Sequence, residues 1–96
     1  MKKITLQVFT DPSHGWIKIS LNHLNQLNLI EKITPFSFIN NKHAYLEEDC
    51  DASLLIKTLK ENNVSYEFRY NHSNTNSKLR YYDQYNINQA MKGIQS

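Results

Sequence analysis

Two short stretches hold most of the side chains able to do chemistry. In Asp11-Pro12-Ser13-His14-Gly15-Trp16, an imidazole sits on a turn beside an acid and an indole. Such a histidine can serve as a general acid, a general base or a ligand. It can equally be a turn residue whose ring bonds the backbone, with Trp16 anchored in the core. In Ala44-Tyr45-Leu46-Glu47-Glu48-Asp49-Cys50-Asp51, four carboxylates surround the single cysteine. Where a strand passes into a helix, Asp49 or Asp51 can cap the free amides, and negative charge is favoured there. One carboxylate suffices for that, so Glu47, Glu48, Asp49 and Asp51 together exceed what the junction needs. The excess is either solvated or waits for a basic partner surface or a cation.

Farther along, His72 and Arg80 join Asp11 and His14 as candidate catalytic residues for a hydrolytic or metal-assisted reaction. Tyr66, Arg69, Tyr70, Lys78, Arg80 and Tyr81 interleave rings with bases, as a single-strand nucleic-acid binder would. The alternative is that Tyr66, Phe68 and Tyr70 form the core face of a strand and that Arg80 and its tyrosines dock a last helix. A formal charge of +2 is small for a nucleic-acid binder and favours that alternative.

Other chemistries find little support. His14, His23, His43 and His72 show no metal-ligand spacing, and no second cysteine is present, so no metal or cofactor is indicated. Cys50 has four acidic neighbours, which oppose thiolate formation; it is expected to be a small buried residue rather than a nucleophile. Gly15 and Gly93 are the only glycines, too few for a phosphate-cradling loop.

The elements that must position these groups follow from periodicity. Ile4 to Thr10 alternates as a half-buried strand. Asp11 to Gly15 is a turn in which glycine accepts positive φ, and Trp16 to Ile19 returns as a second strand. Ser20 caps a short helix over 21–28, which Asn28 closes in the left-handed conformation. Leu29 to Ile33 links onward with room for one helical turn. Residues 36–40 and 43–47 form a hairpin around Asn41-Lys42. A helix over 52–62 buries Leu55, Ile56 and Leu59, and the strand 64–70 sets Val64, Tyr66, Phe68 and Tyr70 on one face. Ser77 caps a last helix over 78–85. The expected order is ββαββαβα: an α+β domain over 1–85 with a mixed or antiparallel five-stranded sheet, short helices mainly on one face, and a loosely attached tail over 86–96.

Ninety-six residues, 40% of them apolar, suit one domain with a packed core. The lone cysteine and the lack of a long apolar run point to a cytoplasmic protein without a membrane span or signal peptide. Leftover sheet edges allow a monomer or an edge-paired homodimer.

Taken together, Asp11-Pro12-Ser13-His14-Gly15-Trp16, Tyr45-Leu46-Glu47-Glu48-Asp49-Cys50-Asp51 and His72 followed by Ser77-x-x-Arg80-Tyr81 resemble a group of small uncharacterised bacterial proteins borne by phages and plasmids. The likeness covers about residues 4–85. Its two longer motifs are specific and its last is loose. Ser13 and Asn28 stand where the pattern has glycine, though turns accept both. The resemblance implies no activity. It implies a mobile-element setting, in which an accessory protein binds a host or defence protein. The expected function is therefore a non-enzymatic binding module docking through Glu47, Glu48, Asp49, Asp51 and Trp16. A small His-dependent or metal-assisted hydrolase and a single-strand binder are the alternatives.

Overall fold

The computed structural model describes residues 3–75 and 78–95. Strands β1 (Lys3–Thr10) and β2 (Gly15–Ser20) form an antiparallel hairpin with Thr10 opposite Gly15. Asp11 closes its turn by accepting the Ser13 and His14 amides at 3.0 Å each. Gly15 does not adopt a positive φ; a Cβ there would lie 2.7 Å from Glu48 Oε2, the far end of an exposed side chain that can swing aside. The left-handed residues are Asn28, Asn41 and Asn63 (φ 57–60°). Each ends an element, as an asparagine that tolerates this region can. Ser20 caps α1 (Leu21–Gln26) by accepting the His23 amide at 3.0 Å, and a 3₁₀ turn follows at Ile30–Lys32.

β3 (Phe38–Asn40) and β4 (His43–Glu47) pair as the second hairpin, and β4 runs antiparallel to β2. From β4 the chain enters α2 (Asp51–Glu61), crosses the sheet, and returns as β5 (Ser65–His72), parallel to β1. After a 3₁₀ turn at Lys78–Tyr81, the two-residue β6 (Asp83–Gln84) pairs with β3, and α3 (Ile87–Gln95) follows. The sheet is mixed and six-stranded, in the order β5-β1-β2-β4-β3-β6. Because β5 lies at the far edge, α2 must span β2 and β1 to reach it.

Strand alternation divides the sheet into two faces. Leu6, Ile17, Ile19, Ile39, Ala44 and Leu46 face the helices and meet Leu21, Leu24, Leu55, Leu59 and Ala90 in the main core. On the opposite face Trp16, Tyr45 and Leu79 make a smaller core, with Phe9, Phe38 and Tyr82 packed against it. The α+β class and the single domain hold; the sheet gains a sixth strand.

Three expectations are corrected. The helix over 78–85 is a 3₁₀ turn followed by β6: Leu79 packs beneath the sheet, and the Tyr85 amide donates to the Ser37 carbonyl at 2.8 Å. The capping role assigned to Ser77 lies outside the described residues. The tail is ordered through α3. Ala90 is fully buried, and Gly93 lies so close to Leu21 and the Asn41 carbonyl that a Cβ there would clash. The third correction concerns the aromatic face of β5. Phe68 and Tyr70 are 39% and 68% exposed, since α2 leaves this edge uncovered.

Candidate functional site

The turn between β1 and β2 and the end of β4 come together because β2 pairs with β4 in a register that sets Trp16 opposite Glu47. At that junction lies a cleft of ≈ 310 Å³ lined by His14, Trp16, Phe36, Phe38, Glu47 and Arg80. Arg80 grips Asp11 with two parallel hydrogen bonds, Nε to Oδ2 at 2.7 Å and Nη2 to Oδ1 at 3.0 Å. Its guanidinium carbon also lies 5.3 Å above the Trp16 ring. Such a fork is rigid and charge-assisted, and the Asp11 hydrogen bond raises the Arg80 pKa. Trp16 packs against Phe38 and His14 with ring centroids 6.1 and 6.0 Å apart. Its buried Nε1 finds no hydrogen-bond acceptor among the described residues.

Glu47 supplies the charge of this cleft. Its Oε2 accepts the Asp49 amide at 3.0 Å, and its Oε1 lies 3.9 Å from His14 Nδ1, beyond hydrogen-bond reach. Burial, foremost, pushes the Glu47 carboxyl above the ordinary range. The charges of Asp49 and Glu48 add to this, while the Asp49 amide and His14 oppose it. Asp11 and Arg80 cancel one another, so Glu47 is the uncancelled charge on a mostly aromatic wall. Among the described residues no lysine or arginine forms an ion pair with Glu47, Glu48, Asp49 or Asp51.

The acidic corner is thus not one cluster. Asp51 caps nothing: it is the first residue of α2, almost fully buried, and the N-cap residue Cys50 makes no side-chain capping bond, its Sγ lying instead 3.9 Å from Thr34 Oγ1. One Asp51 oxygen accepts from the Thr34 amide (3.0 Å), the Thr34 hydroxyl (2.8 Å) and the Ser37 hydroxyl (2.5 Å). Ser37 Oγ in turn accepts the Glu47 amide at 3.0 Å, and Thr34 Oγ1 accepts the Phe36 amide at 3.3 Å. Asp51 therefore holds two walls of the cleft, and sequence reasoning missed Thr34, Phe36, Ser37 and Phe38. No local spacing could have revealed them, because the contacts span 10 to 17 residues. Glu48 leans over Gly15, and Asp49 and Cys50 are exposed, against the expectation of a buried thiol.

Of the candidate catalytic residues, the structure joins Asp11 to Arg80 and sets His14 beside Glu47. His72 goes elsewhere, its Nδ1 lying 2.9 Å from Thr10 Oγ1. Among the described residues no contact links His14 to His72 or Asp49, and no three His, Cys, Asp or Glu side chains are grouped to hold a metal ion. The interleaved rings and bases part company as well. Tyr66, Phe68 and Tyr70 lie on the helix-bearing face of β5, Arg69 alternates to the other face, and Arg80 is clamped in the cleft. Lys78 and the 86%-exposed Tyr81 lie on the 3₁₀ turn. Among the described residues no helix is long and apolar enough to cross a membrane. Comparison of the chain with protein-family models, curated proteins and solved structures gives no match.

Proposed function

We propose that the protein is a non-enzymatic binding module that docks on a basic surface of a bacterial protein. Glu47 receives a lysine or arginine side chain of that partner between Trp16, Phe36 and Phe38. The observation that carries this reading is a largely buried carboxylate that, among the described residues, has no lysine or arginine ion pair, set on an aromatic wall where Arg80 is already held by Asp11. A cation entering there gains the carboxylate's attraction and the ring faces together. Glu48 and Asp49 extend the negative field outward and would speed encounter. Asp51 leaves the docking set because its carboxylate is spent inside the fold. The setting implied by the resemblance belongs to the proposal too: an accessory protein of a phage or plasmid acting on a host or defence component.

Trp16 is the only tryptophan, so its emission reports on the cleft directly. Titration with lysine- and arginine-rich peptides should shift that emission, more weakly as salt rises. Acetylated-lysine controls and the Glu47→Gln variant should give no shift. A response that survives Glu47→Gln would overturn the proposal, as would none at all.

A second reading rests on the proximity of His14 and Glu47. An imidazole and a carboxyl with raised proton affinity, beside a fixed guanidinium, could act as general acid and base in a hydrolysis. Turnover of ester or phosphoester substrates that is lost in His14→Gln and Glu47→Gln alike would favour it over docking.

A further inference from the structure

β5 forms one edge of the sheet over eight residues, with no proline in Ser65–His72 to block pairing. An open edge of this length normally carries some protection against pairing with another chain. Here Glu67 and Asn71 reach toward β1, and Arg69 stays exposed. Glu67 accepts from Thr5 Oγ1 at 3.1 Å and pairs with Lys3 at 3.4 Å, while Asn71 donates to Gln7 Oε1 at 2.9 Å. Tyr66, Phe68 and Tyr70 line up along the strand in tilted and edge-on contact, with centroids 5.4 and 5.9 Å apart. Phe68 and Tyr70 also line an open, mostly apolar groove of ≈ 670 Å³ against α2. Rings, groove and the backbone edge over residues 66–70 are continuous.

The sequence of this edge identifies its occupant. Tyr66-Glu67-Phe68-Arg69-Tyr70 reads the same in ring positions from either end and opposite in charge. In an antiparallel pair about a two-fold axis at Phe68, each Glu67 faces Arg69 of the second copy. Each Tyr66 likewise faces Tyr70 of the second copy, and the two Phe68 residues face one another. Opposite charges and paired rings are the cross-strand combinations that stabilise a sheet. Parallel in-register addition would set Glu67 against Glu67 and Arg69 against Arg69. We propose that two copies of this chain join edge to edge through β5, antiparallel and centred on Phe68, making one continuous twelve-stranded sheet. An isologous contact of this kind closes on itself and uses up the β5 edge of each copy, leaving the two-residue β6 at either end. The strand contact alone is small beside the roughly 1,200–2,000 Å² buried by a stable interface, so the exposed aromatic row and groove rim must be covered with it.

Sedimentation equilibrium of the full chain over a range of concentrations tests this, with circular dichroism to confirm folding. The wild type should dimerise reversibly. Arg69→Glu, which leaves the Lys3 contact of Glu67 intact, opposes like charges twice and should weaken the dimer about tenfold or more. The double variant Glu67→Arg with Arg69→Glu restores both pairs and should recover the dimer. In a Cys50→Ser background, Phe68→Cys should form an intermolecular disulfide on mild oxidation, because residues at the axis lie within disulfide reach. A wild type that stays monomeric, a dimer indifferent to Arg69→Glu, or a charge swap that fails to restore association would each overturn the proposal.

Discussion

Asp51 and Glu47 are both acidic residues of the β4–α2 junction, and burial acts on them in opposite ways. Asp51 gives its charge to three internal donors and so fixes Phe36 and Glu47. Removing that acceptor leaves buried donors unsatisfied, and Asp51→Ala should lower unfolding free energy by about 2–4 kcal/mol in urea titration. The charge of Glu47 is a burden to the fold alone. A carboxyl whose pKa is raised in the native state binds more protons folded than unfolded, so its ionisation erodes stability as pH rises through the carboxylate range. Glu47→Gln should therefore raise the melting temperature at neutral pH, and the gain should vanish in acid, where wild-type Glu47 is itself neutral. The same variant should lose basic-peptide binding. A residue that destabilises the fold while serving recognition shows this exchange of stability for function; unchanged melting at both pH values would contradict it.

Among the elements, what the sequence makes legible is local. Ser20 as a cap, Asn28 in the left-handed region, the two hairpins and the α2 span all depend on neighbours within a few residues, and all of them form. The misread segments depend on distant partners. The stretch 78–85 becomes a 3₁₀ turn and a strand because Leu79 fills the space beside Trp16 and Tyr45, and because β3 offers an edge. Asp51 reads as a cap until Thr34 and Ser37 are seen beneath it. α3 reads as a tail because its four apolar residues are matched by four polar ones, yet Ala90 and Gly93 let it pack closely on α1. That packing has a measurable consequence. In a solvent-exposed helix Gly→Ala stabilises by about 1 kcal/mol. At Gly93 the added methyl meets Leu21, so Gly93→Ala should instead destabilise by about 1–3 kcal/mol, read from the shift in urea midpoint. A stabilising outcome would mean that α3 is not held against α1.

At the level of the whole molecule, the cleft exists because separate hairpins share one sheet, and no residue count predicts that. The register setting Trp16 opposite Glu47, and hence the meeting of His14 with Glu47, is a product of strand order, to which periodicity is blind. The C-terminal part of the chain is tied into this assembly through Tyr85. Its hydroxyl donates to the Ile30 carbonyl at 2.6 Å within the core, and burial, aided by the Asp51 charge, pushes its pKa up to about 12. The unfolded chain loses this proton near pH 10, so between there and about 12 the native state holds a proton that the unfolded state lacks. Stability contributed by Tyr85 is thus complete below pH 10 and falls as pH climbs toward 12, by about 3 kcal/mol. Tyr45, buried on the opposite face beside Tyr82, is shifted in the same direction and adds to the slope. Tyr85→Phe should cost about 1 kcal/mol at neutral pH by orphaning the Ile30 carbonyl. It should also flatten the alkaline decline, leaving only the share that Tyr45 contributes. Thermal melts of both proteins from pH 8 to pH 12 read the two effects together, and parallel curves would show that Tyr85 is not the alkaline weak point.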